Sequence, residues 1–224
     1  MINSFFEELR IRRREGLSMF FPQKCLACRK EGHYLCAKHD ALPSAPRNEV
    51  VFSHIDHVQA CTAYYHVMSK KVVEYLKFRG FQSVGTLMAK KMIAEIPYSF
   101  WHNAVLIPVP LHWTRKFWRG FNQADILARE IQKLVPEITL SHDLKRIKRT
   151  SQQAKLSKTD RVKNMQDVFI WKSKKSVPAR VILIDDVVAS GSTLDSAGEV
   201  LKKAGVKTVD AVVFARGGGR TMNN

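Results

Sequence analysis

The run Val181-Ile182-Leu183-Ile184-Asp185-Asp186-Val187-Val188-Ala189-Ser190-Gly191-Ser192-Thr193 constrains the fold of this chain more than any other stretch. Four apolar residues in a row read as a strand covered on both faces, the mark of a parallel sheet with helices on either side. In open α/β sheets ligands bind beyond the C-terminal ends of such strands. Asp185 and Asp186 are therefore expected at the rim of a site, outside the core. The small, hydroxyl-bearing residues that follow open a helix, and its first N–H groups suit a phosphate. Two carboxylates beside a phosphate cradle predict one ligand with a diol and a phosphate, a phosphorylated ribose, with magnesium close by. Asp185 and Asp186 are assigned the catalytic role. Val187, Val188, Ala189, Ser190, Gly191, Ser192 and Thr193 are assigned to sugar and phosphate. The plainer alternative is two acids closing a strand and Gly191 turning the chain. It accounts less well for an ordered run of apolar, acidic, apolar and small residues. The run lacks the Gly-Lys-Ser/Thr of a P-loop and the G-x-G-x-x-G of a dinucleotide fold.

A second pattern lies near the N-terminus. Cys25 and Cys28, then Cys36 and His39, are spaced C-x2-C and C-x2-H. Four such ligands make the closed tetrahedral set of a structural zinc site. A segment this short buries no core of its own, so metal would supply its folding energy. His33 is a rival for the fourth position. Cys61 sits in an apolar strand pattern and is read as a core residue.

Alternating strand and helix patterns over the rest predict parallel βαβ units. Strands are expected at 58–65, 104–109, 168–171, 181–184 and 209–215. Helices are expected at 69–78, 82–96, 122–135, with Asn122 as N-cap, and 193–204, stopped by Gly205. Pro108-Val109-Pro110 should end its strand, since proline cannot stay in a ladder. The domain plan is a basic helical N-terminus (1–20), a zinc knuckle with linker (21–50) and an α/β domain (51–224).

The chain has 224 residues, with 37 Lys and Arg against 20 Asp and Glu, a formal charge of +17. Such a field attracts polyanions. Candidate nucleic-acid contacts are Arg12, Arg13 and Arg14 in the N-terminal arginine cluster, Trp113, Phe117 and Trp118 in an aromatic and basic loop, and Lys155, Arg161 and Lys163 in a basic segment. Aromatic rings interleaved with cations suit single strands. His112, Arg115 and Arg119 follow the Pro-Val-Pro strand end and are candidates to neutralise a pyrophosphate. The segment 145–163 holds eight Lys or Arg and a single acid, and reads as a loop able to close over a polyphosphate. No apolar run approaches the roughly 20 residues that span a bilayer. The first 20 residues carry no secretory pattern, so a cytoplasmic protein is expected.

Taken in order, Cys25-Leu26-Ala27-Cys28, Pro108-Val109-Pro110-Leu111-His112, Arg119-Gly120-Phe121-Asn122-Gln123-Ala124, Arg161-Val162-Lys163-Asn164, the Asp-Asp run and Ala215-Arg216 resemble the ComF family. The Asp-Asp run itself resembles the phosphoribosyl-pyrophosphate motif of type I phosphoribosyltransferases. The resemblance implies a type I phosphoribosyltransferase-like α/β fold, a mostly parallel sheet flanked by helices, behind a small zinc-binding segment. It implies phosphoribosyl pyrophosphate with magnesium as ligand, and a link to natural competence and DNA uptake, through single-stranded DNA or a helicase. Two readings stay open: a phosphoribosyltransferase, and a non-catalytic DNA-binding or helicase-partner adaptor that keeps the fold. Two departures from the family pattern stand out. His39 occupies the place of a fourth cysteine, and Ala189-Ser190 replaces two threonines. Purine-using type I enzymes often carry a carboxylate general base where Ala189 stands, and alanine accepts no proton.

Overall fold

The computed structural model describes residues 23–45, 52–79, 82–111, 120–147, 168–173 and 175–217. The chain divides into two units, Met1–Leu42 and Pro43–Asn224. The expectations for residues 1–20, including Arg12, Arg13 and Arg14, lie outside the described residues. So do those for His112, Trp113, Arg115, Phe117, Trp118, Arg119, Lys155, Arg161 and Lys163.

The larger unit is an α/β fold. Its elements are β1 (His57–Ala63), α1 (Val67–Arg79), α2 (Gln82–Glu95), β2 (Val105–Pro108), α3 (Gln123–Leu134), β3 (Thr139–Leu140), β4 (Leu144–Arg146), β5 (Phe169–Trp171), β6 (Arg180–Val188), α4 (Ser192–Lys203) and β7 (Thr208–Arg216). Five strands pair in the order β1-β7-β6-β2-β3, and every pairing is parallel. The central strands are apolar on both faces: Val181 to Ile184 and Ala211 to Ala215 are fully buried, as a sheet covered on both sides requires.

One face of the sheet packs Val181, Leu183, Ala211 and Val213 against Leu194, Ala197 and Leu201 of α4, with Leu144 and Phe169 of the β4–β5 pair joining this cluster. The opposite face lies against α2 and α3, which pack on each other. The helical spacing in α3 buries Ala124, Leu127 and Ile131, while Leu134 in its last turn is 40% exposed. Asn122 caps α3 as expected, its Oδ1 accepting from Ala124 N at 3.2 Å. Its Nδ2 donates to Val109 O at 3.0 Å, tying the helix start to the end of β2.

At the N-terminal end of the sheet Asp210 is fully buried. A buried carboxylate persists only when paired and hydrogen-bonded. Arg180 meets its Oδ2 through Nη2 at 2.7 Å and Nε at 2.8 Å, and His57 Nδ1 lies 2.9 Å from Oδ1. Cys61 is 6% exposed in β1, a core residue as expected, and burial pushes its thiol up to about 12.

Three expectations are corrected. The strand at 168–171 does not join the parallel sheet: β5 pairs antiparallel with β4 in a separate two-stranded ribbon. With three residues it is too short to cross the sheet, and it buries Phe169 over α4 instead. Pro108 stays in the ladder, opposite Ile184, and Val109 N still donates to Ile184 O at 2.9 Å. Its absent N–H faces the β3 side, where pairing has already ended at Leu106↔Leu140, so no ladder bond is lost. The motif strand runs on to Val188, because β7 continues beside it to the pair Val188↔Arg216. The two aspartates therefore lie within the strand, and Asp186 is only 7% exposed.

The approach to β1 is clamped onto α4. Asp195 Oδ1 accepts from Ser53 N and His54 N, both at 2.8 Å. One turn on, a Cβ at Gly198 would stand 2.6 Å from His54 O and 2.7 Å from Ile55 Cδ1. Gly198→Ala gains about 1 kcal/mol of helix propensity, but overpacking against backbone costs about 1–3 kcal/mol. A net loss of up to about 2 kcal/mol is expected, read as a lower urea midpoint at unchanged slope.

Candidate functional site

Neighbouring strands β2 and β6 send the chain to opposite faces of the sheet. After β6 it turns into α4, and after β2 it leads to α3 on the other side. Such a switch leaves a crevice beyond the strand ends. β2 stops at Pro108↔Ile184 while β6 continues four residues further. Asp185 and Asp186 stand on that overhang, paired to β7 on one side and, among the described residues, to no strand on the other.

The aspartates alternate across the strand. Asp185 is half-buried and its Oδ1 accepts from Asp186 N at 2.8 Å. Burial and then the Asp186 charge push its carboxyl well above the ordinary carboxylate range, although the Asp186 N–H and the Lys77 charge act the other way. Asp186 turns to α1, where its Oδ2 lies 3.0 Å from Lys77 Nζ. That oxygen is buried and the pair lacks hydrogen-bond geometry.

Val187 and Val188 remain in the strand. The Val188 side chain is in the core, and its O accepts from Gly217 N at 2.8 Å. Ala189 and Ser190 form an exposed bend. Gly191 has φ 77°, a left-handed conformation that favours glycine, and it is the N-cap of α4. No side chain caps that helix. The cap leaves the first-turn N–H groups facing the bend, a geometry that receives anions. Ser190 Oγ and Ser192 Oγ lie 3.0 Å apart there, with Thr193 following in the first turn.

Two features went unread in the sequence. Lys77 sits beside Leu76 in an amphipathic helix, where a lysine reads as a solvated face; nothing local pairs it with a distant aspartate. The segment Tyr64–His66 leaves the C-terminal end of β1, and Tyr64 N donates to Arg216 O at 2.8 Å. Tyr65 is 71% exposed, and His66 Nδ1 is buried with no hydrogen-bond partner among the described residues.

The smaller unit holds the second constellation. Cys25, Cys28, Cys36 and His39 bring their ligand atoms within 4.8 Å of one another. Cys28 Sγ lies 3.7 Å from Cys36 Sγ, and His39 Nδ1 lies 3.2 Å from Cys36 Sγ and 3.6 Å from Cys25 Sγ. Tetrahedral bonds of about 2.3 Å to sulfur and about 2.0 Å to nitrogen set ligand–ligand edges of roughly 3.5–3.8 Å, so the set fits one metal ion. Tight turns build it: Arg29 N donates to Cys25 O at 2.9 Å and His39 N to Cys36 O at 2.7 Å. Backbone N–H groups of Cys28 and Cys36 hold the Cys25 thiol down to about 6, which favours the thiolate that a metal needs. At Cys28 the Lys30 N–H also favours thiolate, but burial and the neighbouring sulfurs outweigh it and the thiol is raised. His33 is not part of the cluster. Among the described residues no helix is long and apolar enough to cross a membrane.

A family model described as the phosphoribosyl transferase domain matches residues 118–224. Competence protein F of Haemophilus influenzae is 39% identical over 113 residues, 50% of this chain and 49% of that protein. Competence protein ComFC of Bacillus subtilis is 31% identical, over 63% of this chain and 56% of that protein. DNA utilization protein YhgH of Salmonella typhimurium is 27% identical, over 65% and 66%. The chain thus spans about half to two thirds of the length of these curated relatives. Among solved structures, a hypoxanthine phosphoribosyltransferase from Staphylococcus aureus superposes with a TM-score of 0.35 at 17% identity, over 58% of this chain and 61% of that one. With a parallel sheet that carries the Asp-Asp strand and a Cys3His cluster ahead of it in sequence, this chain is similar to competence protein F and ComFC, and its residues 118–224 match the phosphoribosyl transferase domain.

Proposed function

We propose that this chain binds phosphoribosyl pyrophosphate at the β6–α4 junction and transfers its phosphoribosyl group to an acceptor, in the service of DNA uptake or use. One observation carries the reading: two adjacent carboxylates stand on an overhanging strand end, directly before an exposed bend and an uncapped helix N-terminus. The names of the relatives, competence and DNA utilization, supply the physiological setting.

Displacement of pyrophosphate from C1 builds positive charge on the sugar and negative charge on the leaving group. The transition state is served by holding both ends and excluding water. Asp185 and Asp186 accept the ribose hydroxyls. Backbone N–H groups and hydroxyls from Ala189 to Thr193 hold the 5′-phosphate. His112, Arg115 and Arg119 neutralise the pyrophosphate. The described residues offer no second cluster of three acidic or imidazole ligands, and one Asp186 oxygen is engaged by Lys77. Magnesium therefore fits as an ion that arrives on the phosphates, its usual habit. It would supply charge neutralisation of the leaving group. The absence of a carboxylate at Ala189 points to an acceptor that needs no base there. In the smaller unit the metal is zinc, and its role is structural.

The charge of +17 favours a second reading, an adaptor that grips single-stranded DNA and uses the phosphoribosyl site for sensing. Calorimetry with phosphoribosyl pyrophosphate and magnesium, followed by a pyrophosphate-release assay over a panel of bases and amines, separates the two. Binding with turnover supports the transferase, and binding without turnover supports the sensor. No heat at millimolar ligand overturns the site. For the DNA contact, affinity must fall steeply with salt as counterions are released; a flat dependence removes it.

A further inference from the structure

Lys77 is placed by the packing of its own helix. Val72, Val73 and Leu76 are fully buried, and Thr62 Oγ1 meets Ser69 Oγ at 2.9 Å, which settles α1 in one orientation. Its side chain, 25% exposed, then brings the ammonium to 3.0 Å from the carboxylate of Asp186, whose side chain is 10% exposed. An ion pair this buried is weak evidence for a stability role, since apolar replacements often do as well or better. A binding role gives it a purpose. Two neighbouring carboxylates repel each other, and their free-state charge must be offset if both are to meet neutral hydroxyls. Asp185 spends one oxygen on the Asp186 N–H. Asp186 has its buried Oδ2 against Lys77, which leaves the other oxygen for a ligand.

We propose that Lys77 is a positioning residue of the phosphoribosyl site, anchoring Asp186 from α1 so that its second oxygen meets a ribose hydroxyl. The inference rests on the reading of the β6–α4 junction as that site. It assigns to Lys77 a part in recognising the sugar, not the pyrophosphate.

The test uses calorimetry on the full chain, with phosphoribosyl pyrophosphate plus magnesium and, separately, with ribose 5-phosphate, which shares the diol and 5′-phosphate but lacks the pyrophosphate. The variants are Lys77→Met, which keeps the length without the charge, and Lys77→Arg, which keeps the charge. Lys77→Met should weaken both ligands by the same factor, tenfold or more, and Lys77→Arg should restore affinity to within about threefold. Melting curves run alongside. Unchanged affinity with a lowered melting temperature marks a mere helix clamp and overturns the inference. Loss confined to phosphoribosyl pyrophosphate makes Lys77 a pyrophosphate contact and also overturns it. Absence of binding by the unmodified chain overturns the site reading, and this inference with it; binding by the unmodified chain that survives Lys77→Met overturns this inference alone.

Discussion

Asp185→Asn combined with Asp186→Asn should abolish measurable binding of phosphoribosyl pyrophosphate while the sheet remains folded. Each carboxylate is expected to supply one charge-assisted hydrogen bond to a ribose hydroxyl, worth about 1.5–3 kcal/mol. Losing both weakens affinity by roughly 10²–10⁴. The amide keeps the volume and an acceptor oxygen, so the loss reports charge and not a cavity. Calorimetry against far-UV circular dichroism checks it, and retained affinity removes the site. The single variant Asp185→Asn carries a second consequence. Burial and the charge of Asp186 raise the Asp185 carboxyl in the folded chain. Stability from its neutral form is fully present below the unfolded value near pH 4 and is lost as pH rises through the raised folded value. Above the unfolded value the native chain therefore forfeits that stability, whereas asparagine keeps a neutral side chain at every pH. Asp185→Asn should raise the melting temperature at neutral pH, and the gain should vanish near pH 4. Loss of ligand with a gain in stability is what a strained functional carboxylate gives.

The second large effect concerns Cys25→Ser. Cys25 is fully buried and belongs to the cluster, and structural zinc sites contribute about 10–16 kcal/mol of apparent binding energy in short peptides. A serine hydroxyl does not replace the thiolate. Metal content should fall from one zinc per chain to near zero, and the turns at 23–40 should lose amide-exchange protection. The sheet unit has its own core of strands β1, β2, β6 and β7, so its unfolding midpoint should hold. A midpoint that falls with the metal would make the cluster part of the sheet's stability.

What was legible follows from local pattern. The run at 181–184, the spacing of Leu194, Ala197 and Leu201, and the cap at Asn122 are all set by residues within a few positions of one another, and each emerged as read. The clustering of Cys25, Cys28, Cys36 and His39 was legible because their chemistry leaves little else for such a spacing to do. What escaped depends on partners remote in sequence. The strand end at Val188 is decided by β7, which pairs with it up to Arg216. The fate of Phe169 is decided by β4 and by the face of α4 it covers. Lys77 gains its meaning only when α1 brings it to Asp186. Periodicity carries no information on any of these, because it reports one element's faces and not what meets them.

Cys61 divides the thiol chemistry of the chain into two compartments. Raised to about 12 and enclosed in β1, it offers no thiolate to an alkylating reagent at neutral pH. Iodoacetamide applied to the native chain therefore counts Cys25, Cys28 and Cys36 alone. Their labelling becomes a direct clock for metal release, and a fourth adduct signals that the sheet itself has come apart.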